Sequence, residues 1–202
     1  MVRHALSAQR AGVDAVTVFG SGGGGHIGEW GLTTMALVPR AADVLDVPVL
    51  AAGGIADGRG LLAALALGAE GVTIGTRLLV TTECPIHDNL KRALAVATEM
   101  DTLPILGLLH NTLRVWKNGA ALKVAEMEAS QAELGEILSV VAGTATKRMY
   151  KGGDVDSGVL ACGQSIGLVS EVRSVEEVIE GMVREAAAIQ ERLASSRVFH
   201  SF

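Results

Sequence analysis

The chain has 202 residues, of which 49% are hydrophobic and 19% charged, with a formal net charge of −5. That composition builds one packed domain and excludes a disordered chain. The acidic balance, with no offsetting Lys/Arg stripe, argues against nucleic acid or an anionic membrane as partner, and Cys84 and Cys162, far apart, give neither a disulfide framework nor a zinc signature.

From the N-terminus, residues 2–11 read as a short helix stopped by Gly12. Val13 to Phe19 reads as a strand and Gly20 to Gly31 as a glycine-rich loop. Thr33 to Leu45 follows as a helix. Val47 to Ala52 is the next strand, entered through Pro48, which suits the first residues of a strand. Asp57 caps a helix whose Leu61, Leu62 and Leu65 share one face, and Gly68 ends it. Glu70 to Gly75 is a third strand. Strands dense in Val, Ile, Leu and Ala that alternate with helices specify an α/β chain with a parallel sheet covered on both faces.

After Arg77 the pattern changes. Ile86 to Met100, Leu122 to Val141 and Ser174 to Leu193 read as helices, and Lys151 to Gly167 as a glycine-rich loop. In the last helix Ser174 and Glu177 form a capping box, and Val175, Val178, Ile179, Met182, Val183, Ala186, Ile189 and Leu193 form an apolar stripe for core packing. The expected organisation is residues 1–83 as βα units carrying the site, and 84–202 as a helical region packed on them in the same domain. The start lacks an apolar signal core and no apolar run can cross a bilayer, so a cytoplasmic protein is expected. Lys147, Arg148 and Lys151 read as a solvated surface.

Two glycine turns stand at consecutive strand ends. One is Ala52-Gly53-Gly54-Ile55; the other is Thr73-Ile74-Gly75-Thr76. A phosphate oxygen needs several backbone N–H groups within reach, and a Cβ there would hold it off. In β/α barrels such a site is frequently built after strands 7 and 8. A third glycine run, Gly22 to Gly25, leads into His26, the one nearby side chain able to exchange protons near neutral pH. The alternative is a flexible loop with a solvated histidine. The run is not G-x-G-x-x-G, and Ala52 and Gly53 stand where a ribose-binding acid would, so a Rossmann site is disfavoured. His4, His87, His110 and His200 have no metal spacing with carboxylates, and Glu29 and Glu83 are isolated.

Taken together, Gly-Gly-His26-Ile27-Gly28, then the run from Pro48 to Ala69, then Gly71-Val72-Thr73-Ile74-Gly75-Thr76-Arg77, resemble the nitronate monooxygenase (2-nitropropane dioxygenase-like) family. The resemblance continues more loosely through Gly158 to Gln164. It implies an FMN-dependent TIM-barrel enzyme. Gly24 and Gly25 would lie against the flavin. Gly53 and Gly54, with Thr73, Ile74, Gly75 and Thr76, would hold its phosphate. His26 would be the active-site histidine, orienting the substrate or taking its α-proton. The implied substrates are alkyl nitronates, oxidised with O2 to a carbonyl compound and nitrite. The chain departs from the family at Phe19-Gly20-Ser21-Gly22-Gly23, where a Gln-Gly-x-Glu-Ala lead-in is usual. The comparison also implies a truncated barrel reduced to its last three strands. The flavin-dependent enoyl-acyl-carrier-protein reductases share these motifs, so that activity is an alternative. An IMP dehydrogenase-like barrel is disfavoured, because neither cysteine lies where its nucleophile would. An inactive remnant is a further alternative, as is self-association or pairing with a chain that completes the barrel, since three strands leave an open sheet edge.

Overall fold

The computed structural model describes residues 2–196. α1 (Val2–Arg10) leads into β1 (Val16–Phe19), followed by β2 (Gly25–His26), α2 (Thr34–Ala42), β3 (Val49–Ala52), α3 (Gly58–Ala66), β4 (Gly71–Thr73) and α4 (Thr76–Leu79). The strands pair in parallel in the order β1-β3-β4, with Val16 opposite Val49 and Leu50 opposite Gly71. The helices α2 and α3 are the crossovers that parallel pairing requires. Their apolar faces meet the strands in a core of Val16, Val18, Leu37, Val38, Val49 and Ala51. The expected α/β chain with parallel strands is therefore present, and the described residues form no closed barrel.

The stretch beyond residue 84, expected to be helical, holds a second sheet. After α5 (Asp88–Leu94), β5 (Thr102–Ile105) and β6 (Leu113–Trp116) pair antiparallel, and β2 adds to β6, with Gly25 opposite Arg114 and His26 opposite Leu113. The loop Gly20–Gly31 is thus fixed by a strand pair rather than free. The helix expected from Leu122 to Val141 is two helices, α6 (Gly119–Ala129) and α7 (Leu134–Val141), broken where Gln131 takes a left-handed φ of 54°. The loop expected from Lys151 begins inside α8 (Gly143–Gly152). His110 sits at a left-handed φ of 50° just before β6.

The last helix, α9 (Val175–Ala194), starts as its sequence dictates. Ser174 Oγ accepts from Glu177 N at 3.1 Å, and Glu177 accepts from Ser174 N at 2.8 Å. Both Glu83 oxygens accept from Val175 N, at 2.9 and 3.0 Å, so the isolated carboxylate of the sequence serves this helix start. That bond, with a second from Thr82, holds the Glu83 carboxyl below its ordinary value. α9 packs on α3 through Gly58, where a Cβ would lie 2.6 Å from the backbone of Met182 and Ala186. Replacing the cap, Ser174→Ala, is expected to cost about 1 kcal/mol. For a chain of this size that is about 2–4 °C in thermal midpoint, measurable by scanning calorimetry. An unchanged midpoint would refute the assigned role of the cap.

Candidate functional site

The tips of β1, β3 and β4 open on one side into a cavity of about 300 Å³. Of the residues singled out above, Gly24, Gly53, Gly54, Thr73, Ile74, Gly75 and Thr76 all line it. Phe19, Leu79, Tyr150, Ala161 and Ser165 also line it and were missed in the sequence. The one hint was the glycine-bearing run Ala161 to Gly167.

The glycines divide into two kinds. At Gly54 and Gly75 an added Cβ would meet no heavy atom within 4 Å, so these residues face open space. Gly54 has a φ of +84°, which side chains other than glycine's rarely allow. At Gly24 a Cβ would lie 2.6 Å from the backbone N of Cys162 and of Gly163. At Gly53 it would lie 2.5 Å from the Gly20 carbonyl. Gly24 and Gly53 are bare because main chain packs on main chain; Gly54 and Gly75 leave room for something that is not protein.

The donors at this room are unspent. Among the described residues, the N–H groups of Gly54, Gly75 and Thr76 have no hydrogen-bond partner. Gly54 and Gly75 are exposed and Thr76 is half-buried, so these donors are open to solvent and within reach of a ligand. Thr76 Oγ1 accepts from Gly163 N at 2.9 Å, which leaves its own proton free to donate. Thr34 Oγ1 donates to the Gly53 carbonyl at 2.6 Å and braces the first turn from behind.

Among the described residues, no charged side chain lines the cavity. Arg77, next to Thr76, turns away and donates to the carbonyls of Val80 at 3.0 Å and Glu171 at 3.4 Å. Burial pushes the Tyr150 phenol above its ordinary value, with a smaller contribution from Cys84, so it stays protonated. Burial likewise pushes the Cys162 thiol up to about 12, which keeps it from acting as a nucleophile. The cavity therefore offers neutral dipoles only: N–H groups and hydroxyls.

His26 and Gly25 do not line it. His26 is exposed and borders an adjoining groove of about 360 Å³ with His4, Val18, Gly28 and Leu37. Phe19 borders both spaces and separates them. Glu29 lies 3.8 Å from His110. His200 falls outside the described residues. Among the described residues, no three His, Cys, Asp or Glu side chains are placed to hold a metal ion, and no helix is long and apolar enough to cross a membrane.

Fold and site together define an α/β chain with a parallel sheet whose strand tips form an uncharged cradle of backbone donors. The nitronate monooxygenase family profile matches residues 1–185, and the chain belongs to that family. It is 36% identical, over 91% of its length, to (3aS,4S,5R,7aS)-5-hydroxy-7a-methyl-1-oxo-octahydro-1H-indene-4-carboxyl-CoA dehydrogenase of Rhodococcus jostii. It is 34% identical, over 95% of its length, to a probable nitronate monooxygenase of Staphylococcus saprophyticus. The solved structure of FabK from Thermotoga maritima is similar at a TM-score of 0.89 and 37% identity over 96% of the chain. The chain spans 62% and 56% of the two curated relatives and 60% of FabK.

Proposed function

We propose that the cavity at the strand tips holds the phosphate end of FMN, and that the chain serves an FMN-dependent oxidation of alkyl nitronates by O2 to a carbonyl compound and nitrite. The observation that carries this reading is the cradle itself: Gly54 and Gly75 face space that a Cβ would fill, beside N–H groups without partners. Such a cradle binds an anion without a basic side chain.

FMN would supply the electron-transfer chemistry; the chain's own residues bind and orient. The N–H groups of Gly54, Gly75 and Thr76 and the Thr76 hydroxyl would hold phosphate oxygens. Gly24, pressed against Cys162 and Gly163, keeps the wall flat for a ring. Phe19 screens the cavity from the groove of His26. The imidazole, on a strand pair anchored to β6, would orient the nitronate or hold its α-proton.

The test is direct. Purified chain, loaded with FMN, is given propyl-2-nitronate in air, and nitrite is measured. Nitrite in step with oxygen consumption supports the reading; a chain that takes up no flavin refutes it. His26→Ala is expected to lower turnover about a hundredfold while flavin stays bound. Unchanged turnover would remove His26 from the mechanism. A second reading, redox chemistry on an acyl thioester, is favoured by the likeness to the carboxyl-CoA dehydrogenase and to FabK. Oxidation of NADPH on addition of crotonyl-CoA, with no nitrite from the nitronate, would decide for it.

A further inference from the structure

Ser165 is 6% exposed and lines the same cavity, and its hydroxyl has no hydrogen-bond partner among the described residues. Every fully enclosed side-chain nitrogen or oxygen described does have one. The Ser165 oxygen is therefore not fully enclosed, and the residue lines the cavity. A hydroxyl on a largely buried residue with no protein partner is a donor that a ligand in the cavity can take up.

Its position is fixed from two sides. Residues 160–162 run along β6, with Trp116 N donating to the Leu160 carbonyl at 2.8 Å and Cys162 N to the Arg114 carbonyl at 3.4 Å. The chain then crosses the glycine loop: Gln164 N donates to the Gly22 carbonyl at 2.9 Å, and Gly163 N to Thr76 Oγ1 at 2.9 Å. Residues 164–168 form a short 3-10 turn that packs on α4, the helix beginning at Thr76. Ser165 thus belongs to the wall tied to the second glycine turn.

We propose that Ser165 is a binding residue for the anionic phosphate oxygens of the cofactor, donating its hydroxyl proton beside Thr76. The inference rests on the FMN reading above and adds a residue from a distant part of the chain to the cradle. It follows from the lack of charge in the cavity. With no Lys or Arg among the described lining residues, a phosphate there would be held by neutral donors, and the unused Ser165 hydroxyl on the same cavity adds to the set.

A hydrogen bond to a charged oxygen is stronger than one to a neutral oxygen, so its loss should be selective for the phosphate. The experiment compares FMN with riboflavin, which has the same ring and ribityl chain but no phosphate. Dissociation constants are read from the quenching of flavin fluorescence for the parent chain and for Ser165→Ala. FMN affinity is expected to fall about tenfold or more, while riboflavin affinity stays within about twofold. Ser165→Cys, similar in size but a weak donor, is expected to behave like Ser165→Ala, and riboflavin binding by either variant reports an intact pocket. Equal FMN affinity in parent and variants overturns the proposal, and so does an equal fall for FMN and riboflavin, which would place the hydroxyl at the ring or ribityl chain. A parent chain that binds neither flavin overturns both this proposal and the FMN reading; a parent that binds FMN as tightly as the variants leaves the FMN reading standing.

Discussion

Gly54→Val is expected to abolish FMN binding while leaving the fold in place. The backbone at Gly54 has a φ of +84°, so any side chain there meets strain of about 1–2 kcal/mol. That lowers the thermal midpoint by a few degrees without unfolding the chain. The larger effect falls on the ligand. No protein atom lies within 4 Å of the added Cβ, so the branched side chain stands in open space at the strand tip, beside the turn donors that line the cavity. Removing two donors to a charged group weakens binding by at least about a hundredfold. The flavin absorbance retained after desalting, with the melting midpoint, measures both. Equal flavin content in variant and parent would refute the assignment of this turn. Gly75 has a φ of −124°, free of that strain, so the same substitution there separates blockade from backbone effects.

Gly24→Ala is expected to fail in the opposite way, through the fold. Its Cβ would lie 2.6 Å from Cys162 N and from Gly163 N, and both are main chain. Main chain cannot rotate aside, so the loop and the 160–165 segment must separate. That separation strains the bond from Gln164 N to the Gly22 carbonyl and the bond from Gly163 N to Thr76. Overpacking of this kind costs about 1–3 kcal/mol. The midpoint should fall by several degrees, with flavin affinity falling alongside. At Gly25, by contrast, the added Cβ meets nothing within 4 Å, and backbone strain at φ +92° is the sole expected cost. A Gly24→Ala variant as stable as the parent would mean that the two segments do not touch as described.

The contrast between these neighbouring glycines shows where the sequence stops being informative. Gly24, Gly25, Gly54 and Gly75 look alike in the chain. Whether a missing side chain admits a ligand or another stretch of backbone depends on what folds against it, here residues separated by more than a hundred positions for Gly24. The second sheet was hidden for a related reason. β5 contains Pro104, β2 has only two residues, and Gly25 pairs with Arg114, about ninety positions away. Local propensity carries little signal for short strands whose stability comes from a distant partner. The alternation in Leu113-Arg114-Val115-Trp116 was the available clue.

What the sequence determined by itself was local. The parallel strands β1, β3 and β4, the cap at Asp57, the capping box at Ser174 and the two glycine turns at strand ends all follow from periodicity, cap chemistry and glycine placement within a few residues. Tertiary structure decided which of these features share a space. It gathered seven of the proposed residues around one cavity, left His26 in the groove beyond Phe19, turned Arg77 away, and brought Ser165 to the cavity wall. The physical reason is that hydrogen-bond satisfaction and steric room are properties of surroundings. A residue's own identity fixes what it can donate, and only the chain folded around it fixes whether anything is there to receive it.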